Sequence, residues 1–468
     1  MLFIFPLIYI VSFYIALKEI YKGKNDGILV FIIFGISVYF TAMAVSFNLG
    51  LKAFIPYLQS FKELLIIIAL GATIFSLKVR PRFHLVDYII LAFLFYLTLF
   101  ALLPIGDQGL VNRLLALKST SFFVFVYFIG RFIDSKTVYV NKYFNYVVLL
   151  TIAAAAVTLI EAATQTPLPT ISGFFEYSYY FLNLDTGGDF GLGMMFNSDS
   201  GLMRYPSFFT SPLEHAGATL LALSIILGLY TRDDNKFAFS NLSLLALGAT
   251  VISMILSFSR APMVSYCIII YVYALITKKR LIVSIIHTGF VIAGLYIIYL
   301  LVQFERTNNS ILSLVLNTID FSDPSSVGHL AQWAEGLAAI IQNPFGLGLG
   351  TSGRVGASAG GNTGGENQYI ILAVQAGVIA AILYLSIIIM FFKTSIKWLP
   401  HLKGKERKVC MAVLLIKTGL FLSSLTSEIE SSTYLSYMNW FLSGLLISII
   451  TQASTKQLSI NDGHRENN

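Results

Sequence analysis

The sequence predicts an all-α, polytopic membrane protein of about twelve to thirteen transmembrane helices with one long, partly helical external loop. Three observations predict it. The 468 residues are 56% hydrophobic and only 12% charged, with a mean hydropathy of +0.76, whereas soluble domains carry roughly 25% charged residues. The apolar residues gather into runs near the ~20 that a bilayer-crossing helix needs. Lys and Arg return in every second gap between those runs, the asymmetry that marks cytoplasmic loops. The same composition excludes an ordinary water-soluble enzyme. It also excludes a disordered chain, which needs low hydrophobicity and high charge.

Backbone groups in lipid must bond within their own segment, so each run reads as a helix. The runs are 2–17, 27–47, 61–77, 86–104, 114–133, 144–163, 211–230, 240–258, 261–277, 281–302, 368–392, 409–426 and 437–452. The first is short, but it has no basic leader and no A-x-A-like cleavage site, so it reads as a retained segment. If it lies in the interface, the count falls to twelve. Basic gaps follow the first, third, fifth, seventh, ninth and eleventh runs, from Lys18, Lys22 and Lys24 to the Lys393–Lys408 stretch. This puts the N-terminus outside and the C-terminus in the cytoplasm. The formal net charge of +7 is therefore a topology signal and no sign of nucleic acid, which needs a clustered basic face. Residues 1–453 read as one integral membrane domain, with long external loops at about 165–210 and 303–367. Residues 454–468 form a polar cytoplasmic tail expected to fray. Cys267 and Cys410 fall within spans as small apolar residues, and no disulfide framework is implied.

The external side keeps few cations, and these are the functional candidates. Arg204 ends the first long loop. Its planar fork suits a phosphate, although an interfacial arginine can also snorkel to headgroups. The Tyr/Phe-rich stretch from Phe174 to Asp199 reads first as an interfacial aromatic belt. Arg260 occupies a turn of a few residues between two apolar helices, where a charge is costly unless paired or hydrated. In the second long loop, Asp323-Pro324 reads as an N-cap with proline at the first helical position. Leu330, Trp333, Leu337 and Ile340/Ile341 then share one stripe, so an amphipathic helix is expected to lie on the membrane until Asn343-Pro344. His329 on that helix is a candidate beyond a bracing role. The series Pro344-Phe-Gly-Leu-Gly-Leu-Gly-Thr-Ser-Gly-Arg354 can bring backbone N–H groups to phosphate oxygens, though it is no dinucleotide fingerprint. Glu366 opens the eleventh run, as a helix-start charge or as a general base.

Taken in order, these pieces resemble the bacterial O-antigen ligase and O-antigen polymerase family. The resemblance covers about 200–392. It runs through Arg204-x-Pro-Ser-Phe with Ser211-Pro212, Ser259-Arg260-Ala, Ser326-x-x-His329-x-x-x-Trp333, Asn343-Pro344-Phe-x-x-Gly348-x-Gly350, and Glu366-Asn367-x-Tyr369. Family members often have arginine where His329 stands. Many ligases have histidine where Glu366 stands, while several exopolysaccharide polymerases have glutamate, which tilts the reading toward a polymerase.

The resemblance implies a GT-C-type glycosyltransferase that uses no nucleotide sugar, no metal and no other cofactor. Its implied donor is a glycan on a polyprenyl pyrophosphate at the outer leaflet, its acceptor a second glycan. Membrane lipid, a flippase and a chain-length regulator are the implied surroundings. Arg204, Arg260 and Arg354 are then the pyrophosphate-binding residues, because preorganised cations stabilise a leaving group that gains negative charge. Glu366 is the expected base with His329 in reserve, and Asn367 and Tyr369 orient substrate. A ligase of the same family is the alternative. A non-enzymatic lipid-glycan flippase is kept open by Glu63, Glu161 and Lys417, which lie near or within spans.

Overall fold

The computed structural model describes residues 2–77, 81–182, 196–197, 202–303 and 324–465. Lys78, Arg80 and Asp323, and most of the Phe174–Asp199 stretch beyond Leu182, lie outside the described residues. Those that are described form a helical bundle, and β-pairing among them is limited to two isolated bridges, Asn197 with Met203 and Thr231 with Phe237.

Eight helical stretches are long and apolar enough to cross a bilayer. They are α1 (Ile4–Tyr21), α4 (Ile55–Phe75), α5 (Leu85–Leu102), the joined α6 (Leu110–Ser121) and α7 (Phe123–Phe132), α8 (Val140–Thr164), α11 (Pro212–Tyr230), α17 (Gln368–Trp398) and α19 (Thr433–Arg465). A ninth is a bent pair, α2 (Asn25–Ile36) and α3 (Tyr39–Asn48), broken by 53° after a π-turn at Phe31–Ile36. The remaining expected crossings fall on shorter or more polar helices: α12 (Asn241–Ser257), α13 (Arg260–Ile276), α14 (Arg280–Gln303) and α18 (Gly404–Ser423). Short helices α9 (Leu168–Ser172) and α10 (Phe174–Leu182) lie in the first long loop; α15 (Pro324–Gln342) and α16 (Gly353–Ser358) lie in the second.

The first helix packs one face into the bundle and leaves the other outward. Tyr9, Ser12, Ala16 and Ile20 recur at helical spacing and are buried. The Phe13 ring stacks on Phe61 at 4.3 Å, and the Tyr9 hydroxyl donates to the Leu58 carbonyl at 2.8 Å. At the centre, α11 and α19 are enclosed by protein, while α14 turns apolar side chains outward along its length. Gly130 on α7 and Gly444 on α19 let these two helices meet backbone to backbone, because a Cβ at either would overlap a carbonyl. Small residues serve this purpose where lipid gives helices no hydrophobic reason to associate.

The gaps sort into two ends. At one, basic gap meets basic gap: Lys405 Nζ donates to the carbonyls of Ser135 and Lys136 at 2.9 and 2.8 Å, and the Gly404 N–H donates to Asp233 at 3.0 Å. Arg131 Nε pairs there with the buried Asp87 carboxylate at 3.0 Å. At the other end each long loop is tied to a neighbouring element: Tyr205 N–H donates to the Leu256 carbonyl at the end of α12 at 3.1 Å, and Arg354 N–H to Glu428, in the turn after α18, at 2.8 Å. The alternation read from Lys and Arg thus reappears as contacts. The tail differs from expectation, since α19 continues through Ser454 to Arg465.

Candidate functional site

The candidate residues gather at the end that holds the long loops. Their framework is a break in α17. Ala376 and Gly377 leave helical geometry, Gly377 at φ 79 and ψ 173, a region open to almost nothing but glycine. The chain at Pro344–Gly348 fills the break. Leu347 and Gly348 N–H groups donate to the Val374 and Gln375 carbonyls at 2.7 and 3.0 Å, and Val378 N–H donates to the Pro344 carbonyl at 3.0 Å. Gln375 extends the clamp with its side chain, accepting from Gly350 N–H and donating to the Ser352 carbonyl, both at 3.0 Å.

This corrects the reading of the glycine series as a phosphate cradle. Gly346, Leu347, Gly348, Gly350, Gly353 and Arg354 all spend their N–H groups on protein acceptors. The glycines serve close packing. At Gly346 a Cβ would lie 2.6 Å from the Gly377 nitrogen, and at Gly377 one would lie 2.7 Å from the Pro344 oxygen.

Arg204 and Arg260 are both half-buried and sit on neighbouring chain segments joined by the Tyr205–Leu256 bond. Each is flanked by backbone in the left-handed region, Ser207 at φ 55 and Phe258 at φ 43. For a bulky residue this costs on the order of 1–3 kcal/mol. The Arg204 segment is tied down by groups the motif analysis did not assign to the site. Glu161 accepts from the N–H groups of Leu168 and Ser207 at 2.6 and 2.9 Å. His215 Nδ1 lies 3.0 Å from the Tyr205 carbonyl, and its ring stacks on Phe209. Phe258 caps α12, and Arg260 then begins α13.

Helix α18 links the arginines to the second cluster. Ser265 on α13 meets Ser423 across 3.2 Å, and Ser424 next along accepts the Gln368 N–H at 2.9 Å. Glu366 is exposed just before α17. Asn367 is buried, and its Oδ1 caps α17 by accepting from Tyr369 and Ile370 N–H at 3.0 and 3.2 Å. Tyr369 is half-buried, and its hydroxyl donates to the Phe421 carbonyl at 3.0 Å. Both side chains are therefore engaged in holding the helix start.

Arg354 is exposed on α16. Its N–H is held by Glu428, in the turn between α18 and α19, which no motif singled out. Burial raises the Glu428 carboxyl above its ordinary value of 4.5; the Arg354 guanidinium and N–H pull it down, and the Glu366 carboxylate pushes it up. A second unforeseen acid, Glu430, accepts from Tyr384, Ser436 and Trp440 at 2.5–2.9 Å, and its N–H is bound by Gln368 at 3.1 Å. No local sequence signal marks either acid, because their partners lie in other helices.

The amphipathic helix forms as expected, as α15. Gln332 and Gly336 press on Gly365 and Gly364 beside Glu366, while Leu330, Leu337 and Ile341 are exposed on the opposite side. His329, half-buried, lies one turn before Gln332 and shares the inward face with it and Gly336.

Residues 243–385 match the model of a family described as O-antigen ligase. That stretch holds Arg260, His329, Arg354, Glu366, Asn367 and Tyr369; Arg204 and Glu428 lie outside it. No curated protein matches the chain significantly. Over residues 243–385 this multi-pass membrane protein is thus similar to the O-antigen ligase family, in the same region that carries most of the ordered motifs.

Proposed function

We propose that the protein polymerises lipid-linked oligosaccharide units at the outer face of a bacterial cytoplasmic membrane, during synthesis of a cell-surface polysaccharide such as O-antigen, exopolysaccharide or capsule. The donor in this reading is a glycan on a polyprenyl pyrophosphate. Glu366 accepts the proton of an acceptor sugar hydroxyl as its oxygen attacks the anomeric carbon. The bond from that carbon to pyrophosphate breaks, and the lipid pyrophosphate leaves with the electron pair. Arg204 and Arg260, with Arg354 third, stabilise the charge that grows there. No side chain is assigned as a covalent nucleophile, so the anomeric configuration inverts. His329 is the second candidate base, and Asn367 and Tyr369 align the acceptor. A flippase supplies the donor and a chain-length regulator bounds the product.

What supports the reading is that the Arg204 and Arg260 segments are bonded to each other, that α18 meets both α13, which Arg260 opens, and the start of α17 beside Glu366, and that Arg260, Arg354 and Glu366 fall within the family match. A glutamate at 366 favours polymerase over ligase; the description of the matched family favours ligase. The charges that kept a flippase in view are engaged by partners within the protein. Glu63 pairs with Lys118 at 2.5 Å, Glu161 holds two backbone N–H groups, and Lys417 sits 3.8 Å over the Trp440 ring.

The test is a reconstituted assay with lipid-linked repeat units. Arg260→Ala and Glu366→Gln are expected to stop chain growth, and wild-type growth by both would remove the site assignment. Longer lipid-linked chains identify a polymerase, and glycan on a new acceptor identifies a ligase. Movement of labelled lipid-linked sugar across the bilayer without bond formation identifies a flippase.

A further inference from the structure

Helices α8, α11, α12 and α19 line a cavity of about 10 Å³, enough for the centre of one water molecule. Its polar lining is Thr151, His215, Thr219, Ser253 and Tyr434. His215 and Ser253 are fully buried, and one polar atom of each, His215 Nε2 and the Ser253 hydroxyl, has no partner among the described residues. Buried polar atoms are rarely left in that condition. The contrast along α12 is direct. The Thr250 and Ser257 hydroxyls donate to helix carbonyls at 2.7 and 3.0 Å, and Ser253 between them does not. The histidine ring has a defined tautomer. Its Nδ1 faces the Tyr205 carbonyl at 3.0 Å, which can only accept, so the hydrogen stands on Nδ1. In the neutral ring Nε2 is then an acceptor, and a second proton there would put an unpaired charge among buried groups.

We propose that this cavity binds one water, which donates to His215 Nε2 and accepts from the Ser253 hydroxyl, and that His215 is thereby a positioning residue for both arginine segments. On one side its Nδ1–H holds the Tyr205 carbonyl, next to Arg204. On the other side the water reaches Ser253, on the helix that ends at the left-handed Phe258 turn and leads into Arg260. The second hydrogen of the water has an acceptor in the oxygen of Thr151 or Thr219, whose own hydrogens are spent on the Val147 and His215 carbonyls at 2.7 and 2.9 Å. The cavity thus offers the two to four polar partners that a buried water takes, and a bridge through one water is nearly as good as a direct hydrogen bond. The inference rests on the reading of Arg204 and Arg260 as the cations that meet the leaving pyrophosphate, since their relative placement is what the bridge fixes.

The experiment is a double-mutant cycle on the full-length protein in detergent, with His215→Asn, Ser253→Ala and the two combined. Asparagine keeps a donor near the place of Nδ1 and removes Nε2; alanine removes one hydroxyl. If one water joins the two, losing either partner already breaks the bridge, so the double variant is expected to lower the thermal midpoint by clearly less than the sum of the single shifts. Additive shifts overturn the bridge. An experimental map that shows ordered waters gives a second reading that needs no variant: a water within hydrogen-bond distance of both His215 Nε2 and Ser253 Oγ supports the proposal, and a dry cavity overturns it. The positioning role is read in the reconstituted assay, where Ser253→Ala is expected to lower kcat per folded molecule about tenfold with KM little changed. A merely structural role would reduce the folded yield and leave that kcat unchanged, which overturns the positioning role. Arg204→Ala and Arg260→Ala separate the two levels. If both retain turnover, the pyrophosphate reading fails whatever the cycle shows; if both are inactive while the cycle is additive, this inference alone fails.

Discussion

Replacing Gly377 by alanine puts the break in α17 to a direct test. The residue stands at φ 79 and ψ 173, which costs an L-residue on the order of 1–3 kcal/mol. The new Cβ would also lie 2.7 Å from the Pro344 oxygen and 2.7 Å from the Phe345 carbonyl carbon. Both are backbone atoms of a segment clamped by three hydrogen bonds to α17, so neither can retreat cheaply, and such overpacking adds about 1–3 kcal/mol. The sum, about 2–6 kcal/mol, is a large part of the ~5–15 kcal/mol that typically holds a fold together. Gly360→Ala is the matched control. Its φ is +88, but a Cβ there meets nothing within 4 Å, so only the backbone term applies. Thermal unfolding of the detergent-purified variants, followed by size-exclusion recovery, is expected to rank them wild type, Gly360→Ala, then Gly377→Ala well below. If Gly377→Ala melts together with Gly360→Ala, the clamp at the break is not the close packing described.

Three further substitutions probe the supports of the site. Glu161→Ala leaves the Leu168 and Ser207 N–H groups without their carboxylate, at about 1–3 kcal/mol each; limited proteolysis is expected to cut faster near Leu168 and Ser207, and an unchanged rate there would count against the tie. Asp87→Ala strands Arg131, Tyr127 and the His84 N–H at the opposite end, so a loss of about 3–5 kcal/mol is expected in the melting curve, with turnover per folded molecule unchanged. Asn367→Ala removes the α17 cap at about 1 kcal/mol. Asn367→Asp restores that cap, so activity that returns with Asp assigns Asn367 to capping, and activity that stays lost assigns it to substrate.

The crossings were legible because lipid imposes a single rule, a long apolar run bonded within itself, and every expected run coincides with helix. Even the polar α18, with Lys405, Glu406, Arg407 and Lys408 in its first turns, was found from its apolar remainder and the basic gap before it. The break in α17 was not legible. Ala376-Gly377 in an apolar run looks like any small pair at a helix contact, and nothing nearby in sequence says that Pro344 to Gly348 will occupy the gap. The glycine series was misread for the same reason. A string of N–H groups looks available to phosphate until the acceptors arrive from elsewhere, here Val374, Gln375, Asn362 and Glu428.

The arginines stood out as candidates because a cation beside apolar helices is costly without a task. The tying role of the acids did not, because a carboxylate in a span or a short turn shows its task only once its partners are known. Glu161 closes a local span to Leu168 but also reaches Ser207, 46 residues on. Glu428 reaches back 74 residues to Arg354. The backbone outliers follow the same division. Ser207 holds its left-handed turn while bonded by Glu161 and by its own hydroxyl to the Ala154 carbonyl at 3.0 Å, three residues past Arg204. Phe258 holds its own two residues before Arg260. A packed framework over-determines both turns, and strain of this kind persists only where such a framework exists. The candidate cations thus stand on rigid, strained turns, while the buried supports come from distant acids. If the proposed transfer is right, a fixed array of cations would avoid reorganisation as the leaving group gains charge, and the acids that hold its segments would matter without touching the substrate.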